Sequence, residues 1–121
     1  MLIDGSVPDD DPETEGWLHR VEKLRDPSHG RFLSRKAWED LVRGAGLGII
    51  RSELHPRKQP DLEWYFETAA TPKQNRKQVL EAVRNAPDHV KTSLRLANEA
   101  GKIVWWWPML TLLARKVPQP L

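Results

Sequence analysis

The chain has 121 residues and no cysteine, so disulfides, thiolate metal ligands and cysteine nucleophiles are excluded. This length predicts a single domain, residues 1–121, with a modest hydrophobic core. The net charge of +2 combines an acidic segment at residues 1–16 with a basic remainder. Because the basic residues are scattered among acids and form no long run, we expect a solvated surface and no nucleic-acid partner.

The sequence also has no pattern typical of membrane insertion or export. Its longest nearly apolar stretch, residues 103–114, is much shorter than a transmembrane helix. The N-terminus is acidic and lacks the charged-then-apolar pattern of an export signal. We therefore expect a soluble, cytoplasmic protein with no membrane partner.

The first elements are a short strand at Met1–Asp4 and a helix. Asp11 predicts the N-cap of this helix, with Pro12 in its first position. Four apolar residues recur at helical spacing before the turn at Asp26–Gly30 ends the helix. They are Trp17, Leu18, Val21 and Leu24.

A second helix follows Ser34 and runs into three glycines, Gly44, Gly46 and Gly48. Their spacing is that of a cofactor-binding loop, but such a loop follows a strand and opens a helix. Here the order is reversed, because a helix precedes the glycines and a strand follows them. We therefore interpret Gly44 or Gly46 as a left-handed helix C-cap. The apolar stripe of this helix consists of Trp38, Leu41, Val42 and Ala45.

The domain divides into three parts along the chain. Residues 1–60 form a helix-rich start that ends with a strand predicted over Leu47–Leu54. Residues 61–101 predict a helical insertion of three short helices, and residues 102–121 predict a terminal strand.

Two residues limit the later elements. Gly101 is predicted to end the third inserted helix, whose inward face would contain Val90, Leu94 and Ala97. Pro108 is predicted to mark a bulge or break in the terminal strand, since proline cannot donate a ladder hydrogen bond.

Three local motifs occur in a familiar order: the Arg25-Asp26-Pro27-Ser28-His29 turn, the Ser34-capped helix with Trp38 and Leu41, and the terminal Leu-Leu-Ala-Arg-Lys at residues 112–116. At these residues the sequence resembles the C-terminal half of class I S-adenosylmethionine-dependent methyltransferases. The resemblance is to the small-molecule branch that includes quinone-biosynthesis-like, type 11 enzymes. It covers nearly the whole chain.

The resemblance implies an α/β fold, a truncated Rossmann-like half-domain with a short three-stranded mixed sheet and flanking helices. Met1–Asp4, Leu47–Leu54 and Met109–Lys116 would be equivalent to the family's fifth, sixth and seventh strands. The seventh would be antiparallel and would lie between the other two.

The family's cofactor loop, ribose-binding acid and adenine-flanking residues lie on the first four strands, which have no counterpart in this sequence. The resemblance thus implies the cofactor S-adenosylmethionine but assigns no cofactor-binding or catalytic residue to this chain. We expect the chain alone not to bind the cofactor.

The resemblance further implies that the Asp26–Phe32 loop and the helices between the sixth and seventh strands shape a pocket for the methyl acceptor. In the loop, His29 and Arg31 are the predicted substrate-binding residues, since a neutral imidazole can take a proton from an acceptor group. The alternative for His29 is that it only satisfies backbone groups of the turn. The histidines have no metal-ligand spacing, so no metal site is predicted.

The sequence has two runs of three aromatic residues, at 64–66 and 105–107. Within each run, the three rings cannot all point toward the same core. Neighbours on a strand point to opposite faces, and three consecutive helical residues spread around the axis. We expect most of these rings to pack in the core, and we predict substrate-binding or interface roles for Trp64, Tyr65 and Trp106.

These features predict a methyltransferase-like fragment, the acceptor-side half of an S-adenosylmethionine-dependent enzyme. The sequence leaves open whether the isolated chain is an enzyme. Its expected partners are a second copy in a homodimer or a complementing methyltransferase half, with a small molecule as acceptor. The alternative function is a non-catalytic protein-interaction or homodimerisation module.

Overall fold

A computed structural model describes residues 1–28 and 30–117 of the chain. It contains both helices and strands, and none of the helices within these ranges is long and apolar enough to cross a bilayer. In chain order the elements are β1 (Leu2–Gly5), α1 (Pro12–Arg25), α2 (Arg35–Gly44), β2 (Leu47–Lys58), α3 (Leu62–Glu67), α4 (Lys73–Arg84), α5 (Asp88–Ser93), β3 (Ala97–Glu99), β4 (Lys102–Val104) and β5 (Trp106–Lys116).

The main sheet has the order β1-β5-β2, so the last strand lies between the first two. This is the order expected from the resemblance. Leu2 pairs with Leu112 on one side of β5, and Ser52 pairs with the same leucine on the other. Both pairings are antiparallel, so the expectation of a mixed sheet is wrong. The strands β1 and β2 run in the same direction but do not pair with each other.

β2 does not stop at His55-Pro56 as predicted, because it continues to Lys58 with Pro56 directly opposite Pro108. The Pro108 carbonyl oxygen accepts from the Ser6 N–H (2.8 Å), so Pro108 directs its backbone polar groups toward β1. The two prolines therefore form a non-hydrogen-bonded pair in which neither has to donate to the other. The predicted bulge at Pro108 is absent, and the register shift falls between Ile49 and Arg51 instead.

Both predicted helix starts are confirmed. Asp11 Oδ1 accepts from the Thr14 N–H (3.2 Å) at the start of α1, and Ser34 Oγ accepts from the Ala37 N–H (3.2 Å) at the start of α2. The glycine interpretation also holds. α2 ends at Gly44, and Gly46 has a φ of 82°, a left-handed conformation that glycine adopts without strain.

The segment predicted as a helical insertion, residues 61–101, is only partly helical. Its third helix, α5, ends at Ser93 and not at Gly101. Ala97 is exposed in β3 and does not face inward, because β3 and β4 form a β-hairpin with a two-residue turn. The turn residues Ala100 and Gly101 have φ values of 52° and 83°. Two consecutive positive φ angles match the strand twist of a two-residue hairpin turn. Gly101 is therefore a turn residue of this hairpin and does not end a helix.

The hydrophobic core lies among the helices. α1 packs against α4 and α5, and Trp105 completes the cluster from the segment between β4 and β5. The stripe predicted for α1 contributes to this core. The buried members are Val7, Trp17, Leu18, Val21, Tyr65, Val79, Val83, Ala86, Val90, Leu94 and Trp105.

α2 packs against β2 and covers one face of the main sheet, whereas α3 reaches the other face only at Trp107, at the start of β5. Arg35 on α2 donates to Ser52 Oγ (3.0 Å), and Ser52 shares its face with the buried residues Leu110 and Leu112. The predicted stripe of α2 is incompletely covered, since Leu41 remains 57% exposed.

The opposite face of the sheet contains Ile3, Met109, Thr111 and Leu113, and we refer to these four residues as the open face. None of them is buried, and Ile3 is 62% exposed. The helical part of the chain thus encloses its own core, while the sheet exposes apolar side chains on one side.

We expect the substitution Asp11→Ala to reduce the free energy of unfolding by about 1 to 2 kcal/mol. It removes the N-cap of α1 and also the carboxylate that contacts His89 Nε2 (2.8 Å) and Ser93 Oγ (3.2 Å) on α5. Denaturant unfolding measures the change. Asp40→Ala, which alters an exposed acid on α2, is the control and should change stability by less than about 0.5 kcal/mol. Equal losses in the two variants would contradict the capping role.

The contribution of Asp11 should also depend on pH. Desolvation raises the pKa of this carboxyl, but the Thr14 N–H and the His89 imidazole outweigh it, so that the pKa lies below its ordinary value of 3.8. A lowered folded-state pKa stabilises the fold above the unfolded pKa, and this contribution disappears as the pH falls through the folded value. The difference between the native chain and Asp11→Ala should therefore shrink in acid.

Candidate functional site

The centre of the helical core is an aromatic cluster around Tyr65. Its ring centroid lies 4.9 Å from Trp105 and 5.7 Å from Trp107, both in edge-on geometry. Trp105 in turn contacts Trp17 at 5.9 Å, also edge-on. These are favourable arrangements for aromatic pairs, so α1, α3 and the start of β5 meet at one place.

A buried ionic group lies against this cluster. The Tyr65 hydroxyl donates to Glu22 Oε1, and Arg25 Nη1 lies 3.4 Å from Glu22 Oε2. The Arg25 guanidinium also stands 4.3 Å from the centre of the Tyr65 ring, and its Nε donates to the Tyr65 carbonyl oxygen (2.7 Å). Arginine can satisfy a carboxylate, a carbonyl and an aromatic face at once because its donors are planar and divergent.

Burial raises the pKa of Tyr65 far above its ordinary value, and the negative charge of Glu22 raises it further. The phenol therefore stays protonated at neutral pH and acts as a hydrogen-bond donor to Glu22. It cannot serve as a general base in this arrangement.

Beside the cluster lies a cavity of about 140 Å³ at the end of β2. Two tryptophans, Trp64 and Trp107, contribute to its wall with their ring centroids 5.9 Å apart. Gln59 is 1% exposed, and neither its amide nitrogen nor its amide oxygen has a hydrogen-bond partner in the part of the chain that the structure describes. The lining residues are Arg57, Lys58, Gln59, Pro60, Trp64 and Trp107.

The described residues among those predicted to bind substrate lie at three separate places. Trp64 lines the cavity, and Tyr65 touches its wall through Trp107 but is fully buried. Trp106 belongs to the other side of the strand, under the Arg95 guanidinium at 5.1 Å. Arg31 is exposed and lies 3.4 Å from Glu15. His29 lies outside the described residues.

Gln59 is a functional candidate that the sequence does not indicate, because it follows two basic residues between Pro56 and Pro60 and has the composition of a polar loop. In the structure the Gln59 N–H donates to the Trp105 carbonyl oxygen (3.0 Å), which extends the pairing beyond Lys58 and turns the side chain inward. No local pattern indicates this, since the bond joins residues far apart in sequence.

The glycine turn at residues 44–48 does not fit a nucleotide-type cofactor. The Ala45 N–H donates to the Leu41 carbonyl oxygen (3.1 Å), and the Gly46 N–H donates to that of Arg43 (2.9 Å). These donors complete the C-terminus of α2, where the helix dipole is negative. An anionic or phosphate-bearing group needs free N–H groups at a helix N-terminus, which this turn does not offer.

Two solved structures are similar to this chain. A protein from Bacillus halodurans C-125 named "putative methyltransferase" superposes with a TM-score of 0.84 and 20% identity, and the match covers 95% of this chain and 54% of that one. The YcgJ protein from Bacillus subtilis superposes with a TM-score of 0.80 and 20% identity, covering 98% of this chain and 50% of that one. The chain thus spans about half the length of each.

No protein-family model matches the sequence, and no curated protein matches it at a significant level. The likeness is therefore one of structure. It shows that the chain shares the α/β fold of half of each of these two proteins.

Tyr65 is the only tyrosine of the chain, so its ionisation can be followed directly by ultraviolet absorbance in alkali. We expect no phenolate signal while the chain is folded, and ordinary titration near the unperturbed pKa of 10.0 in denaturant. Because the folded-state pKa is raised, the contribution of Tyr65 to stability is complete below the unfolded pKa and is lost as the pH rises above it.

The substitution Glu22→Gln tests the cause of this behaviour. It removes the adjacent negative charge while keeping the shape of the side chain, so the remaining rise in pKa would come from burial alone. A reversible titration of Tyr65 near its ordinary value in the folded native chain would contradict the buried arrangement.

Proposed function

We propose that this chain is the acceptor-side half of an S-adenosylmethionine-dependent methyltransferase fold, completed by a methyltransferase half that carries the cofactor site. The observation that carries the proposal is the extent of the structural likeness. It includes nearly all of this chain but only about half of each neighbour, one of which is named as a methyltransferase. The order β1-β5-β2 supports equivalence to the last three strands of that fold.

The free edge of β1 supports a partner that adds strands. The Ser6 N–H donates to the Pro108 carbonyl oxygen on β5, whereas the Gly5 N–H donates locally, to its neighbour Asp4 Oδ1 (2.8 Å). Since backbone groups alternate in direction along a strand, the N–H and C=O of Ile3 point away from β5. In water, such an edge invites pairing with another strand.

The open face supports the same partner. An antiparallel sheet by itself can leave one face in water, but a half that adds parallel strands next to β1 would complete an α/β sheet, which helices cover on both faces. Here Met109 and Leu113 on the central strand are only half-buried, and Ile3 and Met1 are exposed. A half that supplies further strands and their helices would cover both the edge and the face.

A homodimer is the second candidate, and the same edge favours it. Two copies can pair their β1 strands around a twofold axis, which requires the same surface on both molecules. Trp105 is fully buried in its own core, so it is not available for this contact. The non-catalytic dimer and the complemented enzyme differ in whether S-adenosylmethionine binds the assembled protein.

We expect the isolated chain to show no saturable binding of S-adenosylmethionine in calorimetric titration. The physical reason is that the glycine turn directs its N–H groups into a helix C-cap. The matched variant Gly46→Ala, which strains the left-handed turn residue, should lower stability without changing the calorimetric result. Stoichiometric binding at micromolar ligand would contradict the assignment of the cofactor site to another half.

We expect the isolated chain to self-associate through β1 when no complementing half is present. Ile3→Pro should weaken this association at least tenfold, because proline removes the outward N–H of Ile3 while the bonds between β1 and β5 remain. Light scattering at several concentrations measures the mass, and Ile3→Val is the control that keeps the N–H. A native chain that stays monomeric at all concentrations would show that the edge is not an interaction surface.

A further inference from the structure

The geometry points to a ligand site in the cavity beside Trp64, and to its ligand as a planar single-ring lactam, an N–H next to a C=O, that carries an acidic substituent. The site is formed by this chain alone. It goes beyond the proposed function, because binding there needs neither a cofactor nor a complementing half.

The amide of Gln59, unpaired among the described residues, indicates a lactam as the ligand. A primary amide presents an acceptor and a donor side by side, and it pairs best with a group that offers the reverse pair. Both amide atoms of Gln59 lack a described partner although the side chain is almost fully buried. Buried polar atoms in that state are rare and costly, so a polar occupant would relieve them.

Trp107 adds a second donor at the same place. Its indole Nε1 is buried and has no partner among the described residues, and its ring lines the cavity together with Gln59. A buried indole N–H normally finds an acceptor. A ring carbonyl has two lone pairs and can therefore accept from both the Gln59 amide and Trp107.

In the present arrangement the amide atoms of Gln59 and the indole Nε1 of Trp107 are all covered. A ligand reaches them after Gln59 rotates about its terminal side-chain bonds and uncovers the neighbouring indole edge. Such a rotation needs no backbone change, since terminal amide torsions have broad minima.

The aromatic wall of the cavity indicates a planar ligand. Trp64 and Trp107 present aromatic surface at an interplanar angle of 46°, so a flat ring can contact both. The volume of about 140 Å³ is small compared with sites for drug-sized ligands, which favours a single ring.

The acidic substituent is inferred from the charges at the rim. Arg57 lies directly opposite Trp107 across the strands and makes no ion pair or hydrogen bond within the described residues. The other rim cation, Lys58, is paired with Glu99 through Nζ at 2.7 Å. Arg57 is therefore the cation left for an anionic group of the ligand.

The test is an NMR titration of the isotope-labelled chain with a carboxylate derivative of pyridone. We expect a saturable shift of the Trp107 indole N–H resonance, with a dissociation constant on the order of 1 mM for so small a ligand. Loss of this resonance in Trp107→Phe identifies it. Two comparison ligands are the N-methyl derivative, which lacks the donor, and plain pyridone, which lacks the carboxylate.

We expect the N-methyl derivative to bind about tenfold more weakly than the parent, and plain pyridone several-fold more weakly. Absence of a saturable shift, or equal binding of the parent and the N-methyl derivative, would overturn the lactam assignment. These outcomes are independent of cofactor binding, so they do not decide the proposed function.

Gln59→Leu separates a ligand-binding role from a structural one. Replacing an unpaired buried amide with an apolar group of similar size should leave the melting temperature unchanged or higher, while the preference for the parent ligand disappears. Trp106→Phe, on the other side of the strand, is the matched control and should leave binding unchanged. A lower melting temperature with unchanged ligand preference in Gln59→Leu would show that the amide is structural and would overturn the site.

Discussion

The fold depends most on the contacts at the C-terminus of α1. Arg25 binds the carboxylate of Glu22 on its own helix and the carbonyl oxygen of Tyr65 on α3. Two side chains at or just before the start of α4 also bind there. Thr71 Oγ1 donates to the Arg25 carbonyl oxygen (2.8 Å), and Asn75 Nδ2 donates to the Leu24 carbonyl oxygen (2.9 Å). The last carbonyls of a helix need partners from elsewhere, so satisfying them holds α3 and α4 onto α1.

The tryptophan segment connects this helical core to the sheet. Trp105 is buried among the core aromatics, while the Trp106 N–H donates to the Leu94 carbonyl oxygen (2.8 Å) at the end of α5. Because direction alternates along an extended chain, Trp107 returns to the Tyr65 side and Trp106 lies on the other. The same alternation places Gln59 next to Trp107, so the cavity is a consequence of how the sheet joins the core.

The helical core and the sheet differ in how fully their apolar side chains are covered. The core encloses its apolar side chains. The sheet has one face covered by α2, while the open face and the β1 edge have no helix or strand against them in the described part of the chain. The chain matches about half of each of two longer proteins, and further strands next to β1 would cover the exposed edge. The cavity beside Trp64 and the proposed partner surface are then separate parts of one molecule.

The sequence by itself determined the features that depend on neighbouring residues. Asp11 and Ser34 cap helices through atoms three residues away, and the left-handed Gly46 ends α2 within one turn. The strand order followed from the family resemblance. Only the tertiary structure decided that Gly101 turns a hairpin, and that Gln59 is buried through its bond to Trp105. These outcomes depend on contacts between residues distant in sequence, whose energies exceed local conformational preferences and leave no periodic pattern in the chain.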